Sequence, residues 1–192
     1  RHPMVSAFID GSVRKICELE PDLIIGFSDI QADLAAKLIK ANQQVLIFNQ
    51  RTIEEILEVI LTIGRIVAAE ERAQHLVDGY RSAIEVAKER ASKIEYRPKV
   101  YFEEWDKPAF SAIRWVSELI EIAGGEDVFS EKSHGKLAAE REVQWSDVVD
   151  MNPDVILASW CGKPVNVESM RNRPGWDSIT AVRNNRIHEI DP

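Results

Sequence analysis

Between Thr52 and Arg97 apolar residues recur at helical spacing over two consecutive stretches. In the first, Ile53, Ile56, Leu57, Ile60, Leu61, Ile66 and Val67 share one side of a helix. Thr52 and Glu55 open it at the spacing of a capping box, in which each side chain satisfies a backbone donor of the helix start. In the second, beginning near Ala69, the stripe Ala73, Leu76, Val77, Tyr80, Ile84, Ala87, Ala91, Ile94 is narrow and its flanks are charged. Helix over this length spans about 37 Å, and Pro98 is expected to end it, because the residue before a proline avoids the helical region. The stretch reads as a connector, residues 52–97, between an N-terminal lobe, 1–51, and a C-terminal lobe, 98–192; an ordinary long surface helix is the plainer reading.

The flanking patterns are those of alternating helix and buried strand. Gly11–Leu19 predicts a short helix capped by Ser12, and Pro21–Phe27 a strand buried on both faces. Ile30–Ala41 predicts a helix and Gln44–Phe48 a second strand; a crossover helix of that length returns the chain parallel to its first strand. Beyond Pro98, Val100–Trp105 predicts a strand, Ser111–Ala123 a helix closed by Gly124-Gly125, Trp145–Met151 a short helix, and Pro153–Ala158 a strand. A Pro-, Gly- and Arg-rich loop then leads to a helical turn at Trp176–Ile179 and a closing strand, Arg186–Ile190. A weak internal repeat relates the halves: Pro21-Asp22-Leu23-Ile24-Ile25-Gly26 matches Pro153-Asp154-Val155-Ile156-Leu157-Ala158 at an offset of 132, and Asn42–Asn49 matches Asn184–Asp191 at 142. The fold class expected is α/β, two lobes with small parallel sheets flanked by helices.

Composition narrows the function. The chain has 192 residues, 45% hydrophobic and 29% charged, the balance of a globular protein. No apolar run approaches the ~20 residues of a membrane span. A formal charge of −8 without any basic cluster argues against nucleic acid. Cys17 and Cys161 are too few for a disulfide framework. The chain begins Arg1-His2-Pro3, which reads as a processed product or a fragment.

In open parallel sheets ligands lie beyond the carboxyl ends of the strands. Those ends carry Phe27, Ser28, Asp29, Asn49 and Gln50 in the first half and Trp105, Asp106, Trp160 and Cys161 in the second. Trp105, Trp115 and Trp160 offer flat faces suited to a large planar ligand, though for Trp105 and Trp160 cleft and core are both open readings; Trp145 and Trp176 read as core. Glu103, Glu104 and Asp106 read as a solvated acidic edge. None of the four histidines falls at a strand end, so a metal-ion site is not expected, and no phosphate loop or nucleophilic triad has supporting context. A rival reading is a Cys161-dependent enzyme or metal handler, with Lys163 lowering the thiol pKa; no base is positioned for it.

The segments Phe102-Glu103-Glu104-Trp105-Asp106-Lys107-Pro108 and Arg114-Trp115-Val116-Ser117-Glu118-Leu119-Ile120-Glu121-Ile122-Ala123-Gly124-Gly125 closely resemble the second lobe of substrate-binding proteins of ABC importers for vitamin B12 and iron siderophores. Pro21–Ile25, Thr52–Val67 and Trp160-Cys161-Gly162 are similar to the corrinoid branch in particular. The resemblance covers nearly the whole chain. It implies a class III periplasmic binding protein and no enzyme: two α/β lobes on a long interlobe helix, lacking the first strand-helix unit and the C-terminal helix of its relatives. It further implies a periplasmic or lipid-anchored location, an ABC permease as partner, no resident cofactor, and a ligand that is cobalamin first and a ferric siderophore or heme-type iron chelate second. Carried over by position, the implied ligand residues are Phe27, Trp105, Arg114 and Trp115. The glutamates with which relatives dock on the permease align with Arg14 and Ser146 here; Arg14 inverts the first charge, and Glu142 or Asp147 would replace the second.

Overall fold

The computed structural model describes residues 3–7, 10–160 and 162–191. The chain divides into two compact units, Arg1–Gln50 and Arg51–Pro192, so the stretch read as a connector is grouped with the second.

In the first unit a short antiparallel pair, β1 (Ser6–Ala7) and β2 (Asp10–Gly11), precedes α1 (Val13–Cys17), whose cap Ser12 accepts a hydrogen bond from the Lys15 N–H. β3 (Ile24–Phe27) then leads through a 3₁₀ turn, Asp29–Gln31, into α2 (Ala32–Lys40) and β4 (Val45–Phe48). β3 and β4 are parallel, with Ile24 opposite Val45 and Phe27 opposite Phe48. Ile16, Ala35 and Leu38 are buried. The expectation that β3 is covered on both faces fails: Ile25 is 40% and Phe27 39% exposed. Successive strand residues point to opposite faces, so Ile25 and Phe27 share the more exposed face and Ile24 and Gly26 the more buried one.

The second unit opens with α3 (Ile53–Ile66) and α4 (Glu70–Ala91). The predicted capping box is present: the Thr52 hydroxyl accepts the Glu55 N–H at 3.1 Å, and the Glu55 carboxylate accepts the Thr52 N–H at 3.0 Å. The two helices cross closely at Gly64, where a Cβ would stand 2.4 Å from that of Ala73. α4 ends before Pro98 is reached. Ser92 caps it and its hydroxyl donates to the Glu89 carbonyl at 2.8 Å, a local bond that competes with helix continuation.

The remaining elements are β5 (Lys99–Glu103), a hairpin of β6 (Trp105–Asp106) and β7 (Ala109–Phe110), α5 (Arg114–Ile122), β8 (Glu126–Asp127), α6 (Trp145–Met151), β9 (Val155–Ala158), α7 (Val167–Arg171), α8 (Thr180–Arg183) and β10 (Ile187–Glu189). β10, β9, β5 and β8 form one sheet in that order, parallel throughout. β5 lies inside it and separates two apolar clusters. Val100 and Phe102 pack with Ala112, Val116 and Ile120 of the α5 side; Tyr101 packs on the other side with Trp160, Met170, Trp176 and Ile179. Gly124 closes α5 at φ +89°, a backbone that favours glycine, and its missing Cβ lets Ala91 of α4 approach.

The internal repeat has a structural counterpart. Ile24 and Ile156 are equivalent in the repeat, as are Val45 and Ile187, and Ile24 stands opposite Val45 just as Ile156 stands opposite Ile187. The hairpin strands and β8 lack a sequence signal because elements of two residues are shorter than the window in which either periodicity shows.

Candidate ligand site at the strand ends

Three carboxylates leave the carboxyl end of β5, and each meets a cation far away in sequence. Glu103, fully buried, takes two bonds from Arg173, Nη1 to Oε2 at 2.5 Å and Nη2 to Oε1 at 2.9 Å. It also accepts the Trp160 indole N–H and the Tyr101 hydroxyl, both at 3.1 Å. Glu104 pairs with buried Arg141 at 2.5 and 3.1 Å, and Arg141 donates as well to the Ser111 carbonyl at 2.6 Å. Asp106 pairs with Lys163 at 2.6 Å. The solvated acidic edge is therefore corrected. These side chains tie the 141, 163 and 173 segments to β5 and its hairpin, and the fourfold bonding of Glu103 compensates its burial.

The electrostatics follow from these contacts. Burial pushes the Tyr101 hydroxyl well above its ordinary range, the Glu103 charge adds to this, and Arg173 only partly opposes it. Burial also acts to raise the Asp106 carboxyl, but the hydrogen bond and charge of Lys163 win and hold it below the usual carboxylate value.

Four of the five tryptophans join this network. The Arg173 guanidinium lies over the rings of both Trp145 and Trp176, 4.6 and 4.4 Å from their centres. The Lys163 ammonium lies 4.2 Å from Trp105 and 4.8 Å from Trp160. Trp176 is core, as expected, but Trp145 is only half-buried. Trp160 is corrected in the other direction: at 4% exposure, with its N–H bonded to Glu103, it presents no open face. Trp105 remains half-buried against the core cluster, its N–H donating to the Lys107 carbonyl at 3.1 Å.

The other expected site residues are distributed as follows. Ser28 and Asp29 follow β3 and Asn49 and Gln50 follow β4, so with Phe27 they gather at the carboxyl end of one two-stranded sheet. Ser28 adopts φ 62°, ψ 156°, a region L residues rarely occupy, while its N–H donates to the Phe48 carbonyl at 2.7 Å. Trp115 packs on the α5 side of the second sheet, opposite the cluster that holds Trp105. Arg114 pairs with Glu118 at 3.2 Å and lines a groove of about 870 Å³ with Leu57, Ile84 and His134. Cations there are matched by neighbouring carboxylates, Arg81 by Glu54, Lys88 by Glu85 and Arg114 by Glu118, so the groove has no single charge sign. Thus Trp105 and Trp160 are brought together at the Lys163 ammonium, and Trp115 packs in the other cluster.

Glu142 is exposed beside the hairpin, whereas Asp147 accepts the Gln144 N–H at 3.0 Å and caps α6. Arg14 is exposed and pairs with Glu18. Cys161 lies outside the described residues; Lys163, the ammonium invoked to activate it, is ion-paired with Asp106. Arg141 and Arg173 escaped the sequence reading, with only the Arg-rich loop around Arg173 as a hint, and Lys163 entered it solely as a neighbour of Cys161. Among the described residues no group of three His, Cys, Asp or Glu could hold a metal ion, and no helix is long and apolar enough to cross a membrane.

Two units with parallel sheets flanked by helices, and aromatic and polar side chains at the strand ends, define the α/β fold of class III periplasmic binding proteins. The chain belongs to the periplasmic binding protein family, whose sequence profile matches residues 3–192. Its homologues are substrate-binding proteins of ABC transporters, not enzymes. The chain is 26% identical to the uncharacterized ABC transporter substrate-binding lipoprotein YvrC of Bacillus subtilis, over 94% of this chain and 58% of the relative. It is 22% identical to the high-affinity heme uptake system protein IsdE of Staphylococcus aureus, over 98% of this chain and 66% of that protein. It thus spans about six-tenths of the length of these relatives. The solved structure of S. aureus IsdE complexed with heme superposes with a TM-score of 0.78 at 21% identity, covering 95% of this chain and 72% of that one, which shows the shared fold.

Proposed function

We propose that this chain is the solute-binding component of an ABC importer, acts outside the cytoplasm, and captures a bulky metal chelate for delivery to a permease. The observation that carries the reading is the family match across residues 3–192. Similarity to a heme uptake protein favours a heme-type iron chelate, and the half-buried Trp105 ring at the end of β5 supplies a flat apolar surface for a macrocycle. In this proposal Phe27, Ser28, Asp29, Asn49 and Gln50 contribute the contacts of the first unit, residues 52–97 connect lobes 1–51 and 98–192, and Glu142 meets the permease. The same ring would serve a corrinoid, the second reading, favoured by the similarity of Pro21–Ile25 and Trp160–Gly162 to that branch.

Titration of the purified protein with hemin, cyanocobalamin and a ferric siderophore, followed by tryptophan quenching and the chelate's absorbance, tests this. Saturable binding of hemin above the other two is expected. Preference for cyanocobalamin would reverse the order of ligands, and absence of binding to all three would overturn the proposal.

A further inference from the structure

One flexible side chain joins two strand-end segments of the second unit. Trp105 and Asp106 belong to the β6–β7 hairpin; Trp160 and Lys163 belong to the segment leaving β9, 57 residues further on. Lys163 Nζ is 2.6 Å from Asp106 Oδ1 and lies over the rings of both Trp105 and Trp160. We propose that Lys163 is a positioning residue that fixes the pose of Trp105, filling the gap between the two indoles with a cation that Asp106 orients.

Three observations support this. The hairpin has two residues in each strand, too few to hold a large side chain by its own ladder. Among the described residues the Trp105 indole N–H bonds within the hairpin, to the Lys107 carbonyl, so it travels with that segment. The other wall is fixed: Trp160 is buried and bonded to Glu103, which Arg173 also clamps. Lys163 therefore extends the rigid core to the Trp105 ring. The Glu104–Arg141 pair secures the base of the hairpin, one residue from the indole. With the Lys163 side chain 38% and the Asp106 side chain 19% exposed, the ammonium is partly withdrawn from water, where charge and cation–π attraction act more strongly than at an open surface. At Trp145 and Trp176 the same device, one cation over two indoles, recurs with Arg173.

The consequence for ligand binding rests on the proposed reading that Trp105 faces the chelate, so the test has two arms. Without ligand, K163M should weaken the near-UV circular dichroism of the tryptophans and raise acrylamide quenching while far-UV dichroism is kept; K163R should restore most of both. These differences should vanish in the W105F background. With hemin, K163M should weaken binding about tenfold, and should add nothing to W105F in a double-mutant cycle. Should K163M fail to fold, D106N removes the charge that orients the ammonium and is expected to shift the same signals. Unchanged dichroism and quenching in K163M, or an equal loss of hemin affinity with and without Trp105, would overturn the inference. Failure of the wild-type protein to bind any chelate would overturn the functional reading alone, and the ligand-free arm would still decide the role of Lys163.

Discussion

Arg173 and Glu103 meet edge to edge in the interior of the second unit, joined by two parallel hydrogen bonds across 70 residues of sequence. The guanidinium is further enclosed by the Trp145 and Trp176 rings, and the carboxylate by the Trp160 and Tyr101 donors. Neither charge reaches water, so each depends on the other.

Removing one partner strands the other. R173M and E103Q should each destabilise the second unit by about 3–5 kcal/mol, whereas the double variant E103Q/R173M should recover a large part of that loss. Urea unfolding followed by tryptophan fluorescence measures all three; a loss below about 1 kcal/mol in both single variants would contradict the burial described.

Asp127 gives a pH dependence of unusual sign. Burial raises its carboxyl above the ordinary range, while the nearby Ser117 hydroxyl and the Phe129 N–H, which donates to Oδ1 at 3.0 Å, oppose the shift. Its Oδ2 has no hydrogen-bond partner of good geometry. A raised folded value means that this group's stabilisation is fully present below the unfolded value and is lost as pH rises through the folded one. D127N should therefore be at least as stable as wild type at about pH 8, with the advantage shrinking towards about pH 4, as read by thermal melts across pH.

Glu55 acts in the opposite sense. Hydrogen bonds from the Arg51 and Thr52 N–H groups lower its carboxyl, with burial a lesser, opposing cause. Its contribution is present above the unfolded value and lost as pH falls through the folded one. T52A should cost about 1 kcal/mol, and E55Q should flatten the acid limb of the stability profile below about pH 5.

Gly64 sets the α3–α4 crossing. A methyl group there collides with Ala73, so G64A should destabilise by about 1–3 kcal/mol despite its better helix propensity. The compensating A73G substitution should restore most of the loss in chemical denaturation.

Both local geometries at the start of α3 were legible in residues 52–67, since a capping box needs two side chains three positions apart and an amphipathic face needs only spacing. α6 likewise begins and ends where its pattern does, and β9 ends at Ala158 as expected but begins at Val155, two residues after Pro153. The close of α4 was not legible in the same way: Ser92 ends it by a local hydroxyl bond, a weaker mark in the sequence than Pro98.

At the site, strand-end tryptophans could be placed on a list of candidates because a strand's carboxyl end follows directly from its apolar run. What each does there could not. Trp105 and Trp160 look alike in sequence, yet one is half-buried and the other sealed by Glu103. The sequence by itself determined the alternation of helix and strand, the repeat and the family, because these rest on neighbours along the chain. The tertiary structure alone decided that Glu103, Glu104 and Asp106 take Arg173, Arg141 and Lys163 as partners, because pairing between distant charges depends on which segments the packed sheet brings within a few ångströms.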